Sequence, residues 1–119
     1  MVYEIKEADW KLLRRLHKVA LERFCRRVIE EVRAATSDRA DDYHGCFLEL
    51  FALINERNQE LARTFDGLRR SNAVILLAGL MEEGLLSEEE FSQFGPETRD
   101  AVEVILRIRG RPQLPDKED

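Results

Sequence analysis

The sequence predicts an all-α fold: an antiparallel helical hairpin extended by a hydrophobic third helix and two short C-terminal helices. Three observations carry this. Apolar residues recur at three- and four-residue spacing, as they do along one side of a helix. Breakers are scarce, with 6 Gly and 3 Pro among 119 residues. Capping signals stand beside those few breakers, so punctuation and periodicity agree.

The first helix begins between Lys6 and Trp10 and continues to about Ala35, with no Gly or Pro inside it. Glu4, Glu7 and Asp9 lie near its start, where negative charge suits the helix dipole. Leu13, Leu16, Ala20 and Phe24 form its apolar arc. Thr36, Ser37 and Asp38 end it and cap a second helix from about Arg39 to Phe65. So short a connection makes the two helices antiparallel neighbours. The hairpin is expected to be elongated.

The second helix carries the most informative stretch, Tyr43 to Leu68. Tyr43, Phe47, Leu50, Ile54, Leu61, Phe65 and Leu68 share one side of it. Arg57 and Asn58 interrupt that seam. Asp66-Gly67 marks a kink or short break. A third helix from Leu68 or Ser71 to Glu83 is apolar nearly all round through Val74, Ile75, Leu76, Leu77, Leu80 and Met81, as the central helix of the domain or part of an oligomer interface would be. Gly79 within it would admit another backbone closely. Gly84 is placed as a C-cap, and Ser87 with Glu90 forms a capping box for a short helix bearing Phe91 and Phe94. Gly95-Pro96 opens the last helix, with Val102, Ile105 and Leu106 on its buried side. Residues 1–109 thus form one helical domain, and 110–119 a flexible tail with two prolines.

Lys+Arg 19 against Asp+Glu 24 gives a net charge of -5, which does not suit a general nucleic-acid binder. The first helix nevertheless carries a basic stripe of Lys11, Arg14, Arg15, Lys18 and Arg26. Weak nucleic-acid association is one use for it. A solvated outer face is the commoner one. The N-terminus lacks a secretion signal, and no apolar run reaches the roughly 20 residues that span a bilayer. Cys25 and Cys46 form no CxxC pair. They read as reduced, buried small hydrophobes of a cytoplasmic protein.

Site chemistry is sparse. The sequence holds no nucleophile elbow, no phosphate-binding glycine loop and no metalloprotease motif, so an enzyme is the least supported class. His17, Cys25, His44 and Cys46 lack metal-ligand spacing, and no metal or cofactor is expected. Gly84 and Glu90 keep the spacing of the last half of an EF-hand loop. Its first and third positions fall on Gly79 and Met81, which offer no carboxylate.

The polar break admits three uses. Arg57 is an arginine whose stem packs while its head finds an acid or water. Or separate polar levels fix helix register, one at Arg57 and a second at Arg27 and Glu31, which fall on or near the apolar arc of the first helix and are expected near Gly45 to Glu49. Or His17, Arg57 and Asn58 line a small anion-binding pocket, since a hairpin turning near Asp38 sets Arg57 across from His17 to Ala20. Two functions follow: a self-associating interaction or regulatory module, a homodimer through Val74, Leu77, Leu80 and Met81, or a domain binding anions or small molecules at the polar break.

Overall fold

The computed structural model describes residues 3–110, and all regular structure among them is helical. Helix α1 spans Glu7–Thr36, α2 Tyr43–Phe65, α3 Ala73–Glu82, α4 Glu88–Phe91 and α5 Pro96–Ile108. A 3₁₀ turn at Arg70–Asn72 precedes α3. Apart from Gly110, the tail expected at 110–119 lies outside the described residues. The described residues divide into two compact units, residues 21–66 and residues 3–20 with 67–110.

The unit of residues 21–66 is the hairpin. Its antiparallel sense follows from three contacts that step down α1 and up α2. Cys46 Sγ approaches the Ala35 carbonyl at 3.9 Å, Arg57 bonds Glu31, and the Phe24 and Phe65 rings meet edge-on at 5.8 Å. The second helix starts four residues later than the sequence suggests, at Tyr43 rather than Arg39. The polar run before it prefers turn geometry. Asp38 adopts φ 55°, and Asp42 becomes the N-cap, accepting from the Gly45 amide at 3.2 Å. Arg39 stays in the connection, donating to Glu49 at 2.9 Å and to Asp42 at 3.1 Å.

The other unit joins the first turns of α1 to α3, α4 and α5. Leu13, Leu77, Leu80, Leu85, Phe94 and Val102 are its most deeply buried apolar side chains. Helix α3 packs on α5. Two termini explain how so short a segment turns sharply. Gly84 at φ 68° ends α3 in a Schellman motif: its amide donates to the Met81 carbonyl and the Leu85 amide to the Leu80 carbonyl, both at 3.0 Å. Ser87 and Glu90 form the expected reciprocal box, with the Glu90 amide on Ser87 Oγ at 3.0 Å and the Ser87 amide on Glu90 Oε1 at 2.8 Å. The break at Asp66-Gly67 is real, because α2 stops at Phe65 and Gly67 takes φ 78°. Asn72 then ties the link down, donating to the Gly67 carbonyl at 2.8 Å.

Two open points about α3 are decided. Val74, Leu77 and Leu80, which the sequence offers either as domain core or as an interface with a second copy, are 8%, 0% and 0% exposed and belong to the interior. Met81 is half-buried. A segment apolar all round is covered here by its own chain, with α5 across from it, and only Ile75 on α3 is largely exposed. Gly79 admits no close backbone: a Cβ built there would meet nothing within 4 Å.

Candidate functional site

The polar break of α2 is a closed ion-pair cluster. Arg57 Nε and Nη2 donate to the two carboxylate oxygens of Glu31 at 2.9 and 3.1 Å, and Nη1 donates to Glu60 at 3.0 Å. A bidentate fork between facing helices is the strong form of such a pair. The guanidinium holds the Glu31 carboxyl below its ordinary value, chiefly through these hydrogen bonds, and the same bonds in turn raise Arg57. Asn58, the next residue, points to solvent.

Arg57 therefore faces Glu31, not the level of His17 to Ala20. The equal-distance register fails for a geometric reason. Side chains lean toward the N-terminus of their own helix, away from the turn on α1 and toward it on α2. A residue of α1 therefore meets one of α2 that lies farther from the turn. His17 is half-buried and belongs to the other unit. With two carboxylates on it, Arg57 offers no unneutralised charge to an anion.

The remaining sequence candidates separate. Lys11, Arg14, Arg15 and Lys18 are exposed in one unit, while Arg26 lies in the hairpin with its Nε on Glu30 at 3.2 Å. Among the described residues no three His, Cys, Asp or Glu side chains converge as metal ligands would, and both cysteines are free thiols, Cys46 buried as expected but Cys25 exposed, because it stands beside the row of α1 that faces α2. No helix among them is long and apolar enough to cross a membrane.

One buried polar group escaped the sequence reading. Asp9, 8% exposed, accepts from Thr98 Oγ1 at 2.6 Å and from the Gly95 amide at 3.2 Å. Tyr3 OH lies 2.8 Å from the same Thr98 hydroxyl. Gly95 is the N-cap of α5 and has no side chain of its own to cap with. Asp9 supplies that carboxylate from α1, at a helix end where negative charge is favoured. It is a clamp inside one unit.

The feature that most invites a partner is the outward side of the hairpin. Only Cys46 and Phe65 of α2 are buried. Tyr43, Phe47, Phe51 and Ile54 are 76%, 63%, 66% and 47% exposed, and Ile29 of α1 is 48% exposed. In a helix the following residue lies about 100° further round. Cys46, Leu50, Leu53 and Arg57 form the row of α2 toward α1, so Phe47, Phe51, Ile54 and Asn58 form the row beside it. Phe24, Val28, Glu31 and Ala35 form the matching row of α1, which puts Cys25, Ile29, Val32 and Thr36 beside it. Winding sense reverses between antiparallel helices, so both flanking rows emerge on the same side of the hairpin. That side bears no formal charge. The opposite side, built from the residues preceding each facing position, bears Arg23 and Arg27 with Glu49 and Glu56, and Glu30 stands at its outer edge on the back of α1.

Comparison with known proteins adds no relative: no protein-family model, no curated protein and no solved structure matches the chain.

Proposed function

We propose that this protein is a helical interaction module of the cytoplasm, acting by binding another protein surface rather than by catalysis. One observation carries the proposal. A stripe of three aromatic side chains and Ile54 lies exposed along the charge-free side of a hairpin whose other side is charged. Leaving that much apolar surface in water forgoes roughly 25 cal/mol for each Å² that a partner would cover. Contiguous apolar patches of this kind mark protein contacts on folded chains. Aromatic residues are also the commonest anchors of such contacts. The anion-binding alternative lacks its cation, because Arg57 is paired with Glu31 and Glu60.

A photoreactive phenylalanine analogue placed at Phe47, in cells that make the protein, tests the docking face. Irradiation is expected to give covalent adducts of defined mass. The same analogue at Glu56, on the charged side, is expected to give none. No adduct at position 47, or equal yields at both positions, overturns the proposal.

A further inference from the structure

We infer that the occupant of this face is a second copy of the chain: two hairpins pack apolar side to apolar side as a two-fold symmetric four-helix bundle. This rests on the docking face proposed above and names its partner. The three aromatic side chains alone expose roughly 400 Å², taking about 200 Å² for each. Ile29 and Ile54, each about half exposed, bring the face toward the ~800 Å² per partner of a standard stable interface. A hairpin has only two helices, and Leu50, Leu53 and Leu61 on α2 with Val28 and Val32 on α1 stay half-buried. A second hairpin supplies the missing layer and makes a bundle core from both. The face has no formal charge, so laying it on its own copy brings no like charges together.

Charge along the rim selects both the partner and its orientation. Two positions beyond the facing row, α1 carries Glu22, Arg26, Glu30 and Arg33, alternating in sign. The corresponding flank of α2 carries Leu48, Ala52, Asn55 and Gln59, with no charge. An antiparallel pairing of α1 with α1 of the second copy sets Glu22 against Arg33 and Arg26 against Glu30, twice over. The two neutral flanks of α2 then meet each other. The other two-fold arrangement, α1 against α2, lays the charged line on an uncharged one. The sequence of the rim is therefore self-complementary in one orientation, as an isologous interface requires.

Sedimentation equilibrium of the full chain tests this. The wild type is expected to be a dimer, and Phe47→Glu/Phe51→Glu a monomer with unchanged helical circular dichroism, because both rings stand in solvent in the single chain. Two rim variants test the orientation. Arg26→Glu/Arg33→Glu makes the line wholly acidic, and Glu22→Arg/Glu30→Arg makes it wholly basic. Each alone is expected to dimerise at least about tenfold more weakly than wild type, and an equimolar mixture to recover the wild-type affinity. A wild type that stays monomeric at high micromolar concentration overturns the second copy as occupant. So do rim variants that dimerise like wild type. Adducts of a different protein at position 47 would then leave the docking face standing, whereas no adduct at all would remove the face itself.

Discussion

Glu31 is the side chain through which acid should reach the hairpin. Arg57 donates to both of its oxygens and holds its carboxyl below the ordinary glutamate value; Arg39 does the same to Glu49. A carboxylate whose folded value is depressed binds its proton more readily in the unfolded chain. Its contribution is therefore present above the unfolded value, ~4.3, and is lost as pH falls through the lower folded value. The hairpin is expected to lose stability between about pH 5 and pH 3. Glu31→Gln should cost about 0.5–1 kcal/mol at neutral pH, a small figure because a side chain 41% exposed is screened by solvent. It should also flatten the acid limb. Thermal melts of wild type and Glu31→Gln at neutral and acidic pH check both; parallel pH profiles would show that the fork contributes nothing. At this scale the sequence was half legible. The polar interruption at Arg57 stood out against its apolar row, and Glu31 stood on the apolar arc of α1. Their pairing did not, because it depends on which way side chains lean. Asp9 and Thr98, 89 positions apart, left no local signal of any kind.

Helices α2 and α3 exchanged the roles that their compositions suggest. Helix α3 is the more hydrophobic, and it is interior: Leu77 and Leu80 are fully buried. Helix α2 is moderately polar overall, yet it exposes the aromatic stripe. Composition ranks segments by apolar content but does not say how many neighbours the chain itself supplies. The third helix has its own chain around it, while α2 has α1 along one side. A finer sequence signal did exist. Glu49, Glu56, Arg57, Glu60 and Arg63, all the charges of α2, fall on one half of its circumference at about 100° per residue. Arg57 of that half is bonded to Glu31 of α1, with Glu60 on the same guanidinium, so the uncharged half is the one left outward. The contrast can be measured. Leu77→Asp buries a carboxylate with no partner and should cost more than about 4 kcal/mol, enough to abolish cooperative melting in the unit that holds α3. Phe51→Glu, at a site 66% exposed, should keep wild-type helicity. A folded, soluble Leu77→Asp would return α3 to the surface.

For the whole molecule, helical class and the order of helices follow from periodicity and caps, which act within a few residues. The division into two compact units does not, since it depends on contacts that join residues 3–20 to residues 67–110. Assembly lies further still from the sequence, and thermodynamic linkage gives it a signature that needs no assumed interface. If two copies form one bundle, unfolding also separates them, and mass action couples the midpoint to concentration. A tenfold increase in protein adds about 1.4 kcal/mol to a two-chain assembly. For a pair of 119-residue chains that raises Tm by roughly 2–4 °C. The melting transition of the full chain is expected to show this shift over each decade of concentration. In Phe47→Glu/Phe51→Glu the same transition should occur at one temperature throughout, lower than that of wild type at every concentration where the wild type is dimeric. Scanning calorimetry across two decades reads both chains in the same way. A wild-type midpoint that does not move with concentration would mean that the aromatic stripe is exposed in the folded protein for something other than a second copy.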